Sequence, residues 1–203
     1  RKYLEACRFN LHARGLCCPT LIYGPETSGH NRAVKSVYAR VGGKAEVAPQ
    51  GGITMPELPD VEIYRNYLQS TALHQRVVKA DIYCPRVVSD VTEAQLKSAL
   101  KGRQFTGARR HGKHLFTAMD NEKWLVLHFG MTGFLAYFKG ADKRPSHVCL
   151  LVSFQNGYYL AYDCQRKLGL LSITGDVESY IKEQGMGPDA MDPELSFATF
   201  EER

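Results

Sequence analysis

Closely spaced strand-like segments separated by polar turns fill the chain after Gly102, and they constrain the fold more than any other feature. The alternation and β-branched content predict strands over 103–109, 113–119, 123–129, 133–138, 147–154, 158–163 and 168–173. Asn156-Gly157 lies between two of these segments and is the strongest hairpin signal in the chain. Such a series predicts a two-layer β-sandwich or a flattened barrel.

Helical signals are confined to the region before Gly102. Pro59 suits a first helical residue, and apolar residues at spacings of three and four predict a helix to about Ala72. A strand is predicted over 77–83, and Thr92 is a plausible N-cap for a helix over 93–100 with Gly102 as its C′ residue. The expected fold class is therefore mostly β with flanking helices (α+β), with one N-terminal helix packed on the sandwich or barrel.

The positive charge of the chain is not spread evenly. The 203 residues carry 26 Lys and Arg and 21 Asp and Glu, a formal net charge of +5. Residues 1–54 hold eight of the basic and three of the acidic residues, so residues 55–203 hold 18 of each. Bulk charge is thus weak evidence for a nucleic-acid partner of residues 55–203. No apolar run approaches the roughly 20 residues that span a bilayer, which excludes a transmembrane protein.

The six cysteines do not form a metal or disulfide pattern. None is part of a C-x₂-C pair, so no zinc site is predicted. The first residues do not form a signal peptide, because Arg8, His12 and Arg14 interrupt any apolar stretch. We expect six reduced thiols in a cytosolic protein.

Residues 1–54 carry scattered Gly and Pro and little periodicity, with one possible short helix from Tyr3 to Leu11. Their basic, acid-poor composition fits an organelle transit peptide, but a linker or an untranslated leader fits about as well. We expect an extension that is disordered or not part of the functional protein, and organelle targeting is the less favoured reading.

The segment Met55-Pro56-Glu57-Leu58-Pro59 carries possible chemistry. If translation starts at Met55 and that Met is removed, Pro56 becomes an N-terminal secondary amine. An α-amino group titrates near 7.7–8.0, so a useful fraction is nucleophilic at neutral pH. Attack on a sugar C1′ would expel a base and leave a Schiff base, with Glu57 as the general acid. The alternative is a plain helix start with an acidic first turn.

Three further motifs follow in order. Residues 108–116 place five basic or titratable side chains in six positions at a hairpin corner, which is either an electropositive rim or a solvated turn. In residues 127–133 two glycines bracket a Met-Thr tip, whose Met131 is either an outward wedge or core filler. Residues 162–169 end a strand with two cations beside an apolar residue, or form an ordinary cationic loop.

Taken together and in this order, the four motifs resemble the N-terminal domain of the formamidopyrimidine-DNA glycosylase / endonuclease VIII family of bifunctional DNA repair enzymes. The resemblance extends from Met55 to about Phe200 and includes the stretch Met186-Gly187-Pro188-Asp189-Ala190, which is similar to the family's segment at the end of this domain. It does not cover residues 1–54.

The resemblance implies roles for individual residues. Pro56 matches the nucleophile, Glu57 the adjacent acid, and Lys113 the lysine that contacts the phosphate beside the lesion and assists elimination. Met131 and Arg166 match residues that fill the void left by a flipped-out nucleotide, where an apolar wedge replaces stacking and a guanidinium can bind the orphaned base. The remaining candidate DNA-binding residues are Arg109, Arg110, His128, His147 and Leu168.

The sequence also departs from the family pattern. Asp60 replaces a Glu, Leu168 replaces a Phe, and Cys164-Gln165 replaces Asp-Pro. Leucine offers a wedge less stacking surface than an aromatic ring. The Met-Pro-Glu-Leu-Pro and Gly-Met-Thr-Gly segments favour the branch that removes oxidised purines.

The resemblance sets several further expectations. Residues 55–200 are expected to form the catalytic domain, the functional start is expected at Met55, and the family's helix–two-turn–helix and zinc-finger domain is expected to be missing after Arg203. No cofactor or metal is expected in this chain, since the family's structural zinc lies in that finger.

The expected partner is damaged double-stranded DNA, and no membrane is expected. The protein is expected to be a monomer in the bacterial cytoplasm, associated with the nucleoid. The alternative functions are a non-catalytic relic that binds damaged DNA and a β-sandwich unrelated to DNA.

Overall fold

A computed structural model describes residues 40–41, 44–45, 55–193 and 195–196. Within residues 1–54 it describes only the antiparallel pair β1 (Arg40–Val41) and β2 (Lys44–Ala45). The predicted helix from Tyr3 to Leu11 lies outside the described residues.

Two four-stranded antiparallel sheets form the centre of the fold. In chain order their strands are β3 (Val77–Ile82), β4 (Phe105–His111), β5 (His114–Met119), β6 (Trp124–His128), β7 (Gly133–Lys139), β8 (Val148–Phe154), β9 (Tyr158–Cys164) and β10 (Leu170–Thr174). The strand order is β3-β8-β9-β7 in the first sheet and β10-β6-β5-β4 in the second. The predicted sandwich is confirmed, and all seven strands predicted after Gly102 are present.

The first two helices flank the sandwich where the sequence predicts them. Helix α1 (Leu58–Thr71) packs on β4, β5 and β7, and helix α2 (Glu93–Leu100) packs on β3 and β10. Thr92 caps α2, because its hydroxyl accepts a hydrogen bond from the Gln95 N–H at 3.2 Å. Short 3₁₀ turns occur at Pro85–Val87 and Ala141–Lys143. No helix among the described residues is both long and apolar enough to cross a membrane.

A third helix, α3 (Val177–Glu183), is not predicted from the sequence. The Asp176 carboxylate caps it by accepting the Ser179 N–H at 2.7 Å. Its apolar side packs against the outer face of the second sheet, where Tyr180 meets Phe116 edge-on with ring centroids 5.7 Å apart. Seven residues are too few to show a helical period clearly, and the apolar partner face belongs to distant strands.

The main core lies between the sheets and beneath α1 and α2. Its members include Leu68 of α1, Leu96 of α2, Leu115 of β5 and Leu150 of β8, all 2% exposed or less. Burial of these side chains on one face of every element is what fixes the strand registers.

The connections place one group of turns at one end of the sandwich. Neighbouring strands are antiparallel, so β6 ends where β7 begins, and β9 ends where β10 begins, each after a short turn. The β4–β5 turn, the start of β8 and the end of β3 lie at this same end. We call it the β6–β7 end, and all the candidate site residues of residues 109–168 are in or next to its turns.

Candidate active site

Glu57 and Lys113 form an ion pair at the β6–β7 end. The Lys113 Nζ lies 2.7 Å from Glu57 Oε2 and 2.8 Å from Oε1. Glu57 stands immediately before α1, and its N–H donates to the Asp60 carboxylate at 2.8 Å. Asp60 thus fixes the backbone from which the Glu57 side chain extends. Pro56, next to Glu57, is buried. The structure therefore brings the three candidate catalytic residues together.

Arg110 holds the hairpin that carries Lys113. Its side chain is only 8% exposed, and its guanidinium pairs with Glu62 of α1 at 3.1 Å and with Asp189 at 2.6 Å. The Asp189 carboxylate also accepts the Gly112 N–H at 3.0 Å. These contacts do not fit the predicted direct contact of Arg110 with DNA, because its donors are turned into the protein. Arg110 instead joins α1, the β4–β5 turn and the segment after α3.

The carboxylates beside Arg110 titrate below their usual range. Burial acts to raise the pKa of Asp189, but hydrogen bonds from Met191 N–H, Arg110 and Gly112 N–H outweigh it and lower that pKa. The pKa of Glu62 is lowered, chiefly by its hydrogen bond to Arg65. Both groups are therefore charged at neutral pH and balance the buried guanidinium.

Arg109 has a different environment from Arg110. Its side chain is 47% exposed and pairs with Glu178 of α3. An exposed pair of this kind exchanges partners at little cost. Arg109 is accessible to a phosphate, as the sequence predicts, once it leaves Glu178.

The turn with Met131 and the turn with Leu168 touch through their backbones. Gly130 has φ of +58°, and a Cβ on it would lie 2.4 Å from the Leu168 carbonyl oxygen. The Arg166 N–H donates to the Thr132 hydroxyl at 3.0 Å. Arg166 is exposed and Leu168 is 47% exposed. Met131 is half-buried, and the two turn contacts bring the void-filling candidates Met131 and Arg166 close to each other and to Leu168.

His128 lies beneath these turns and against His114 of the neighbouring strand, with ring centroids 4.8 Å apart. Its Nδ1 is 3.3 Å from the Gly130 N–H, which fits Nδ1 as the acceptor. Burial, followed by repulsion from Lys113, lowers the pKa of His128. Burial, followed by His128 and His111, lowers the pKa of His114 to about 4. Both rings are therefore neutral at pH 7.

His147 is exposed just before β8, at the same end of the sandwich. Its N–H donates to the Asp163 carboxylate at 2.7 Å, which fixes the backbone at this point. Burial raises the pKa of Asp163 in spite of this bond. The imidazole of His147 is free to reach a ligand in solvent.

Sequence reasoning missed the roles of Glu62 and Asp189. They lie 48 and 79 positions from Arg110, and no local pattern shows that they share one guanidinium. The family resemblance of the Gly187-Pro188-Asp189 segment indicates the end of the domain and not a partner for Arg110. A hint was available in the hairpin itself, because an arginine among several cations at a strand end needs carboxylates if it is to be buried.

The described residues contain no group of three or more His, Cys, Asp or Glu side chains placed to bind a metal. Cys84, Cys149 and Cys164 are buried free thiols. Burial, followed by the neighbouring thiols, raises the pKa of Cys149 to about 12. That thiol stays protonated, unlike a metal ligand, which binds as the thiolate.

Comparison with known proteins identifies the family to which this domain of two antiparallel sheets belongs. Residues 55–171 match the family model described as formamidopyrimidine-DNA glycosylase N-terminal domain. Because this match covers more than half of the chain, the chain belongs to the formamidopyrimidine-DNA glycosylase family.

Individual relatives agree with this assignment. The formamidopyrimidine-DNA glycosylase of Moorella thermoacetica is 31% identical over 141 residues, which are 68% of this chain and 52% of that protein. The same enzyme of Protochlamydia amoebophila is 26% identical over 73% of this chain and 53% of its own length. The chain therefore spans about half the length of these curated relatives.

A solved structure shows the same fold. The Lactococcus lactis formamidopyrimidine-DNA glycosylase, non-covalently bound to DNA containing an AP site, aligns with a TM-score of 0.67 and 27% identity. The alignment covers 72% of this chain and 56% of the Lactococcus chain. The mostly β fold with flanking helices is thus shown by a relative as well as by the strands themselves.

Proposed function

We propose that this protein is a base-excision repair glycosylase with abasic-site lyase activity that removes oxidised bases, chiefly oxidised purines such as formamidopyrimidine and 8-oxoguanine. The observation that carries the proposal is the Glu57–Lys113 ion pair next to Pro56. Together these three residues supply a nucleophile, an acid and a phosphate-binding cation on one surface of a member of the glycosylase family.

The reaction assigns one step to each group. The Pro56 nitrogen forms a bond to the sugar C1′ as the bond from C1′ to the base breaks, and the sugar ring then opens to an iminium. Glu57 donates the proton that the leaving base or the ring oxygen needs. The Pro56 N–H proton passes to the opened ring oxygen through Glu57 as the iminium forms. The iminium acidifies the sugar C2′ proton; the deprotonated Glu57 carboxylate takes this proton, the electron pair of the C2′–H bond forms a double bond, and the 3′ phosphate leaves by β-elimination, with a second elimination at the 5′ side.

Lys113 has two partners in this scheme. In the structure it neutralises Glu57. A DNA phosphate beside the lesion offers a competing anionic partner, and transfer of Lys113 to that phosphate leaves the Glu57 carboxyl able to hold a proton. DNA binding would thereby favour the protonated form of Glu57, which is the form that acts as the acid.

The Schiff base requires an amine at Pro56. Inside a longer chain Pro56 is a tertiary amide and has no nucleophilic lone pair. We therefore propose that the active protein begins at Pro56, that residues 1–54 are not part of it, and that residues 55–200 form its catalytic domain. The structural zinc of the family belongs to the finger of a further domain, and no step of this scheme uses a metal.

The turns at the β6–β7 end would bind the DNA. Met131 and Leu168 insert where the damaged nucleotide leaves the stack, and Arg166 binds the orphaned base. Arg109, His128 and His147 contact the backbone. The partner is damaged double-stranded DNA, the protein acts as a monomer, and its place is the bacterial cytoplasm at the nucleoid.

The test is a strand-nicking assay. The protein is expressed from Met55 with its native C-terminus and mixed with duplexes that carry one 8-oxoguanine, one preformed abasic site or no damage. The proposal expects base release and strand cleavage on the first, cleavage on the second and neither on the third. Intact substrate in all three would refute it. No specific observation favours the alternative of a non-catalytic relic.

A further inference from the structure

Arg144 and Tyr83 form an exposed stacked pair outside the site described above. The Arg144 guanidinium carbon lies 4.0 Å from the centroid of the Tyr83 ring. Arg144 is exposed, and Tyr83 is 48% exposed although it is a large aromatic residue. Among the described residues no carboxylate or carbonyl accepts a hydrogen bond from Arg144. Stacking fixes the plane of a guanidinium and leaves its N–H edges free to donate.

The fold places this pair at the β6–β7 end. Tyr83 follows β3 directly, and its N–H donates to the Cys149 carbonyl of β8 at 2.8 Å. Arg144 lies in the loop that leads into β8. The pair therefore belongs to the same end of the sandwich as Met131 and Arg166, which follow β6 and β9.

The strand order of the first sheet shows how Met131, Arg166 and the Arg144–Tyr83 pair follow one another across the β6–β7 end. In the first sheet β7, which Met131 precedes, and β3, which Tyr83 follows, are the two edge strands. Three strand spacings of about 4.8 Å separate them, or roughly 14 Å. Arg166 follows β9, next to β7. Across this end of the first sheet the order is therefore Met131, then Arg166, then Tyr83 with Arg144.

The charge of this edge suits a phosphate. Arg86 is exposed in the turn after Tyr83, and His147 is exposed three residues after Arg144. Of the nearby acids, Asp142 is exposed two residues before Arg144, Asp81 of β3 pairs with Lys79 at 2.9 Å, and Asp163 is 2% exposed and accepts the His147 N–H. The exposed charges of this edge, which are Arg86, Lys143 and Arg144 against Asp142, are thus mainly cationic.

We propose that Arg144, held flat by Tyr83, binds the sugar–phosphate backbone of the DNA strand opposite the damaged nucleotide. The inference rests on the proposed function, in which Arg166 faces the orphaned base. A line from Met131 through Arg166 leads from the void left by the damaged nucleotide to the orphaned base of the complementary strand, and Arg144 lies further along that line, beyond His147. The pair thus extends the DNA-binding surface on the side away from the reaction.

The first experiment measures binding to a duplex with a tetrahydrofuran abasic analogue, using the protein expressed from Met55 with its native C-terminus. Arg144→Ala is expected to weaken binding about fivefold to tenfold and to reduce the slope of log K against log salt by about one. Tyr83→Ala should cause a smaller loss, and the double variant should match Arg144→Ala alone, because Tyr83 acts through Arg144. Arg103→Ala, an exposed cation at the start of β4 and so at the opposite end, is the matched control and should change neither quantity.

The second experiment assigns the strand. Single methylphosphonate substitutions are scanned along the complementary strand, and one position should weaken binding of the wild type but not of Arg144→Ala. Wild-type affinity and salt slope in Arg144→Ala would overturn the inference, and so would a sensitive position on the damaged strand. If Arg144→Ala has the affinity and salt slope of the wild type, and the wild type binds and cleaves the duplex, only this inference fails. If the wild type neither binds nor cleaves, the proposed function fails with it.

Discussion

Lys113 Nζ and the two carboxylate oxygens of Glu57 lie 2.7 and 2.8 Å apart, although the residues are 56 positions apart in the chain. The contact joins the start of α1 to the β4–β5 turn. It is half-exposed, with 35% of the Lys113 side chain and 49% of the Glu57 side chain accessible. An exposed pair adds little stability. Its position beside Pro56 therefore points to function, and the first prediction concerns its acid.

Glu57→Gln is expected to lower base excision by about 10² to 10⁴-fold, because glutamine keeps the shape but cannot donate a proton as the carboxyl does. Binding of the abasic-analogue duplex should stay within about threefold of wild type. Single-turnover excision of 8-oxoguanine measures the first effect and anisotropy the second. Equal excision rates in Glu57→Gln and wild type would contradict the role of Glu57 as the acid.

Arg110→Met is expected to destabilise the protein by about 3 to 5 kcal/mol, because it leaves the buried carboxylate of Asp189 without its guanidinium. Arg109→Met, at the next residue but in an exposed pair with Glu178, should cost less than about 1 kcal/mol. Urea unfolding of the two variants measures the difference. Equal losses would mean that Arg110 does not hold the hairpin, and Arg110 would return as a candidate DNA contact.

Gly130→Ala is expected to destabilise the protein and to weaken DNA binding. The new Cβ would lie 2.4 Å from the Leu168 carbonyl oxygen and force apart the turns that carry Met131 and Leu168. Gly157→Ala is the matched control, because its φ of +80° is equally unfavourable but nothing lies within 4 Å of the added Cβ. The free energy of unfolding of Gly157→Ala should fall by about 1 kcal/mol, and its affinity for DNA should not change. Wild-type affinity in Gly130→Ala would show that the contact between the turns does not shape the DNA surface.

Stability is expected to fall as the pH is lowered from about 6.5 to about 4. His114 titrates near 6.5 in an unfolded chain and near 4 in the folded protein, so the unfolded state binds more protons between these values. His128, which also has a lowered pKa, adds to the effect, and both rings are close to His111 or Lys113. His114→Phe should remove about 2 kcal/mol of this pH dependence. Thermal unfolding at pH 4 to 8 is the measurement, and parallel profiles for variant and wild type would contradict the prediction.

The sequence was sufficient for the strands and the first two helices, because each has a clear period and a turn or cap at its ends. Asn156-Gly157 illustrates this: Gly157 takes φ of +80°, and the Asn156 side chain accepts the Tyr158 N–H at 3.0 Å. Helix α3 was not predicted, since its short apolar face is defined only by the strands that it covers.

The candidate site was predictable as a set of residues but not as a set of contacts. The motifs identify Pro56, Glu57 and Lys113, and the fold brings them to one end. The environments of Arg109 and Arg110 could not be told apart, because adjacent residues on a strand point to opposite faces and only the fold shows which face is covered. The burial of Arg110 depends on Glu62 and Asp189, which come from elements far away in the chain.

The most direct test is borohydride trapping of the Schiff base on abasic DNA, followed by mass mapping of the linked peptide. Two proteins are compared, one that begins at Pro56 after removal of Met55 and one that retains residues 1–54, both with the native C-terminus. The first should give a covalent adduct at Pro56, and the second should give none there, because its Pro56 nitrogen is an amide. No adduct from the first protein, or an adduct mapped to Lys113, would contradict the proposal.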